Sequence, residues 1–158
     1  MLADTWTPFH LVGVGNPMRC DDGVGLEIIS QLLRRLGRRR PENVILHPST
    51  DTADRVLSRI DCTSERLLIF DAVEASGMPG RIILASLADS KFGFFATHNV
   101  PLRIIPGLAA NPSNVFVAGI EPELLDVGEG LSEVVRSSAD DVVSVVVSAL
   151  GGGTDGLP

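Results

Sequence analysis

The sequence predicts an α/β domain, and three observations carry that prediction. The first is Leu11–Gln31, LVGVGNPMRCDDGVGLEIISQ, in which an apolar run ends in Gly13 and Gly15 and a polar loop, Asn16–Asp22, follows. Leu26, Ile29, Leu32, Leu33 and Leu36 then recur at steps of three and four, so the stretch reads strand, loop, helix, the opening unit of an α/β sheet. The second is RLLIF (66–70), a continuous apolar run suited to a strand covered on both faces. The third is that short apolar runs and helical patterns alternate along the rest of the chain.

Taken in order, Asn43–His47 (NVILH) predicts a short buried strand. Thr52–Ile60 suits a helix with Ala53, Val56, Leu57 and Ile60 on one face, which Thr50 or Asp51 could cap. The strand Arg66–Phe70 ends at Asp71, in FDAVEASGMPG. Gly77, Pro79 and Gly80 then force a turn, and Arg81–Leu87 returns as a strand. So short a connection allows an antiparallel neighbour, since a parallel one needs a long crossover. Phe92–Ala96 leads, as a strand, to Thr97 and His98, and a weakly helical stretch broken by Pro106 and Gly107 follows. Asn114–Ile120 is the last strand. Leu131–Leu150 is the last helix, with Val135, Ala139, Val142, Val143, Val146 and Leu150 as its apolar stripe and Ser132 as its cap. Residues 1–150 therefore read as one domain and 151–158, GGGTDGLP, as a flexible tail.

Composition narrows the function classes. The 158 residues are 44% hydrophobic and 21% charged, ordinary for a globular domain. No apolar run has the length of a membrane span and the N-terminus lacks a secretory layout, so the chain is expected in the cytoplasm. Cys20 and Cys62 form neither a CxxC pair nor a disulfide framework. A net charge of −7 argues against broad nucleic-acid binding. Against that charge stands a basic cluster, Arg34, Arg35, Arg38, Arg39 and Arg40 around Gly37. Its simplest reading is a solvated helix C-terminus with Gly37 as the stop, and docking to an acidic partner is the alternative.

The glycine loop itself points to a cation. A Gly-rich turn before a helix usually suggests phosphate, but Asp21 and Asp22 stand where the anion would sit and would repel a pyrophosphate. No third glycine follows Gly13 and Gly15 at the dinucleotide offset. Gly23 and Gly25 flank the acids, where they would allow a substrate backbone to approach or permit unusual backbone angles. Asp22 after the first strand, Asp71 at the end of the third and His98 after a later one all fall at strand ends. In an open α/β sheet such loops meet at one crevice. Each residue also has a structural reading: Asp22 as a helix cap, Asp71 as a turn cap, His98 as a packed imidazole. Glu74 and Glu121 lie near the same ends, where they could tune the site, but carboxylates at loop starts read first as solvated. Cys20 reads as a small apolar filler.

Four blocks carry a family resemblance. GVGNPMRCDDGVG, FDAVEASGMPG, THNVPL and VAGIEPELLDVGEGLSEVV resemble, in order, those of the [NiFe]-hydrogenase maturation endopeptidases. The resemblance implies a three-layer fold, a twisted, mixed but mostly parallel sheet of about five strands flanked by helices. It implies removal of the C-terminal extension of the hydrogenase large-subunit precursor after nickel insertion. It places nickel contacts on Asp22, Asp71 and His98, and Asp22 and Asp71 are also the candidate catalytic residues. The first of these positions is often glutamate in relatives, so Asp22 reaches one methylene less.

Carboxylate oxygens and an imidazole nitrogen suit a borderline divalent metal such as nickel, and three ligands leave positions for substrate atoms. Cleavage could then proceed through a metal-activated water or polarised carbonyl, or through an aspartic dyad sharing one proton. In either case the nickel arrives in the substrate and is not expected to be held tightly by the free protein. A nucleotide-binding protein and a non-enzymatic metal adaptor or chaperone of the same fold are the competing classes. Shortening of a nickel-loaded precursor separates a protease from an adaptor.

Overall fold

A computed structural model describes residues 7–47, 55, 58–89 and 111–151. Five strands form one sheet: β1 (Phe9–Gly13), β2 (Val44–His47), β3 (Arg66–Ala72), β4 (Ile82–Ser86) and β5 (Val115–Ile120), in the spatial order β2-β1-β3-β5-β4. All neighbours are parallel except β4, which runs antiparallel to β5. The α/β class and the mixed, mostly parallel sheet follow the sequence reading. The short turn after β3 does deliver an antiparallel strand, but not a direct neighbour. β5 takes the place beside β3, pairing Asp71 with Gly119, and β4 is set one strand further out.

Two helices pack together on one face of the sheet, α1 (Val24–Leu36) and α2 (Glu133–Ala149). They bury Leu11, Ile28, Leu32, Phe70, Val135 and Val143 in one cluster. Ile28 faces this core whereas Leu33, expected there, lies exposed at the surface. In α2 the stripe is Val135, Ser138, Ala139, Val142, Val143 and Val147, and Val146 and Leu150 are only partly covered. The other face gathers Val12, Leu67, Ile69, Val115 and Val117 under Ile60 and Cys62. Most of the helix expected at Thr52–Ile60, the strand Phe92–Ala96, His98, the Pro106–Gly107 stretch and tail residues 152–158 lie outside the described residues. Among those described, no helix is long and apolar enough to cross a membrane.

Glycines let α1 press onto the sheet. A Cβ on Gly25 would lie 2.2 Å from the Phe70 carbonyl oxygen, and one on Gly13 would lie 2.2 Å from the Gly25 carbonyl oxygen. The expected role of Gly25 is thereby corrected: what approaches it is the protein's own β3 and not a substrate. Gly37 ends α1 at φ 48°, the stop expected at a solvated helix C-terminus, and Arg38–Arg40 stand exposed beyond it.

Candidate active site

Asp22 sits in a 3-10 turn, Cys20–Gly23, that runs straight into α1 and packs against β3. It caps nothing, because the N-cap of α1 is Gly23 and no side chain bonds there. Its Oδ2 accepts instead from the Asn16 N–H at 3.2 Å, and its carbonyl accepts from the same N–H at 3.1 Å. Gly15 makes this loop possible: at φ 139°, its absent Cβ would fall 1.7 Å from the Asp22 carbonyl oxygen.

Asp71 lies inside β3 rather than just beyond it, since the strand continues to Ala72. Its Oδ1 accepts from the Ala72 N–H at 2.8 Å. Both acids are buried, Asp22 at 4% exposure and Asp71 at 3%. The turn bearing one touches the strand bearing the other, at the carboxyl ends of parallel strands. His98 lies outside the described residues. Among those described, no three His, Cys, Asp or Glu side chains are placed to hold a metal.

The sequence reading missed two further buried acids. Asp21, fully buried, accepts from the N–H groups of Glu123 (2.9 Å), Leu124 (2.8 Å) and Ser132 (2.7 Å), and from the Ser132 hydroxyl at 2.9 Å. Ser132 does occupy the N-cap of α2, but its hydroxyl serves Asp21 and not the helix. Glu121, expected to be solvated, is 1% exposed. It accepts from the backbone N–H groups of Ala75 (3.1 Å), Ser76 and Gly77 (2.9 Å) and from the Ser76 hydroxyl at 2.8 Å. Burial would raise its pKa, but these donors favour the charged form and bring it down to about 2. Glu74 is exposed, as expected.

Cys20 is half-buried, not a core filler, and is the one non-glycine at positive φ (47°) among the described residues. Its N–H donates to the Gly128 carbonyl at 2.8 Å, where a Cβ on Gly128 would meet the Cys20 sulfur at 3.0 Å. Away from the site, His10 Nδ1 lies 2.9 Å from His47 Nε2, and its Nε2 2.8 Å from Glu65. An apolar cavity of about 460 Å³, lined by Phe9, Val44, Leu68, Phe116, Val146 and Leu150 among others, opens at the amino end of the sheet. No carboxylate lines it, so it is not the place for the acids' chemistry.

A mostly parallel five-stranded sheet with buried acids toward the carboxyl ends of its strands defines an α/β protein, and in that class ligands usually bind at those ends. The model of the hydrogenase maturation protease family, HycI, matches residues 27–149. The chain belongs to the hydrogenase maturation protease family, a family of peptidases. It is similar to a Methanocaldococcus jannaschii protein named as a presumptive hydrogenase maturation protease, with 27% identity over 89% of this chain and 94% of that one. Its fold is similar to that of a [NiFe] hydrogenase maturation protease, HycI, from Thermococcus kodakarensis. The TM-score there is 0.75 and the identity 22%, over 92% of this chain and 93% of that one. The hydrogenase maturating endopeptidase HybD of E. coli gives a TM-score of 0.71 at 21% identity, again over 92% and 93%.

Proposed function

We propose that this protease removes the C-terminal extension of a [NiFe]-hydrogenase large-subunit precursor once nickel has been inserted, and that it reads the nickel in that substrate. The observation that carries the proposal is the contact between the Cys20–Gly23 turn, which bears the buried Asp22, and β3, which bears the buried Asp71. With His98 they would supply two oxygens and one nitrogen, a donor set suited to nickel but without a thiolate to hold it tightly. The three come from separate segments, so none forms a chelate by itself. The free protein therefore holds nickel weakly and meets it as part of the precursor.

In the cleavage step, Asp22 and Asp71 are the groups that hold and move protons. One carboxylate takes a proton from the attacking water and the pair returns a proton to the leaving amine, while the substrate's nickel can polarise the scissile carbonyl. The experiment is to incubate the protein with nickel-loaded precursor and follow the precursor's mass. Loss of a C-terminal peptide is expected, whereas binding with no loss of mass would make the protein an adaptor.

A further inference from the structure

We propose that the segment Glu121–Ser132 is a clamp that sets the position of Asp22 relative to Asp71, with Asp21 and Glu121 as positioning residues for the cleavage. The inference rests on the proposed function and adds to it a means of holding the two acids in register.

Both acid-bearing regions are anchored to this one segment. At its start, the Glu121 N–H donates to the Arg81 carbonyl at 2.9 Å and its carbonyl accepts from the Gly80 N–H at 2.8 Å. Its carboxylate gathers the N–H groups of Ala75, Ser76 and Gly77. The whole connection that leaves Asp71 is thus folded onto Glu121. Further along, the segment grips the turn that carries Asp22. The Gly128 N–H donates to the Met18 carbonyl (2.9 Å), Cys20 N–H to the Gly128 carbonyl (2.8 Å) and Asp21 N–H to the Leu124 carbonyl (3.0 Å). Arg19 Nη2 adds a bond to the Leu125 carbonyl at 3.1 Å. The Asp21 carboxylate completes the grip with its four donors from Glu123, Leu124 and Ser132.

Adjacency turns this anchoring into positioning. In a 3-10 turn successive side chains diverge by about 120°. With Asp21 fixed toward the clamp, Asp22 is fixed toward the Asn16 loop, where it accepts the Asn16 N–H. Asp21 accepts backbone N–H groups on both oxygens, so an amide there would set an NH2 group against an N–H donor, whereas at Glu121 an amide removes the charge that three N–H groups meet on Oε1. Glu121, with its pKa near 2, keeps its charge throughout the physiological range.

The test compares Asp21→Asn and Glu121→Gln with wild type on nickel-loaded precursor, well below the melting temperature of each. A displacement of about 1 Å at a reacting group can cost about 100-fold in rate. We expect kcat to fall by about that factor, KM to stay within about twofold, and the acid limb of the pH profile to move. A loss of activity no greater than the unfolded fraction, with an unchanged pH profile, would show that these acids serve stability alone and would overturn the proposal. Where either variant fails to fold, Ser132→Ala removes one of the four Asp21 donors and is expected to give the same signature in smaller measure. If wild type itself does not cleave, the proposed function fails. The clamp is then judged by hydrogen exchange at the Asn16 amide: faster exchange in Ser132→Ala supports it, and an unchanged rate overturns it.

Discussion

The carboxylate of Asp21 and the backbone N–H of Ser132 meet at 2.7 Å across 111 residues of sequence, joining the entrance of α1 to that of α2. The Ser132 hydroxyl adds a second bond to the same carboxylate at 2.9 Å. Ser132→Ala removes the second bond and leaves the first, so a loss of about 1 kcal/mol is expected in urea unfolding. An unchanged midpoint would mean that solvent replaces the hydroxyl at no cost.

Gly25→Ala is expected to cost more than most surface substitutions, about 3 kcal/mol or above. The added Cβ meets the carbonyl oxygens of Phe70 and Val14 at 2.2 and 2.4 Å, and neither backbone can yield without moving β1 or β3. Thermal unfolding measures it. A variant of normal stability that has lost processing would restore the sequence-based view that this glycine makes room for substrate.

Asp22→Asn and Asp71→Asn are expected to stay folded and to lose processing by at least about 100-fold. Asparagine keeps an acceptor for the N–H groups of Asn16 and Ala72. Alanine at Asp71 would take the side-chain acceptor from the buried Ala72 N–H, so the isosteric change is the informative one. Circular dichroism with a cleavage assay separates the outcomes, and processing at the wild-type rate would remove the residue from the catalytic pair.

His47 makes a prediction at mild acid pH. Burial and then the neighbouring His10 hold its pKa below the usual 6.5, so the unfolded chain binds the proton more readily. The stabilising effect of neutral His47 is complete above pH 6.5 and declines as the pH falls below that value. The denaturation midpoint of wild type is expected to drop over this range, and that of His47→Gln to drop less. Parallel curves would place the titration elsewhere.

Glu121 predicts the opposite end of the scale. Its carboxyl, lowered from the ordinary 4.5 to about 2, contributes stability that is full above pH 4.5 and vanishes as the pH falls through about 2. Glu121→Gln should flatten the stability curve between those values. An unaltered slope would show that the amides of Ala75–Gly77 do not depend on this charge.

Much of this molecule was legible in its sequence because its strands and helices are periodic. RLLIF and NVFVAGI needed only apolar continuity, and the α/β class followed from one strand–loop–helix unit. What escaped was set by tertiary contact. Asp21 and Asp22 are indistinguishable as neighbours in CDDG, and only the fold turns one toward Ser132 and the other toward Asn16. Glu121 follows an apolar strand just as Asp71 does, so its service to the Ala75–Gly77 loop had no local signal. Gly25 looked like a site residue because a glycine pressed against a strand and one pressed against a ligand read alike.

One paired reaction tests whether the nickel is read in the substrate. The precursor is prepared with and without nickel, each form is incubated with the purified protein in a buffer freed of metal, and the products are weighed by mass spectrometry. Loss of a C-terminal peptide is expected from the nickel-loaded form alone, by a protein that carries no tightly held metal. Cleavage of the nickel-free form by a protein that retains its own metal through purification would contradict that expectation.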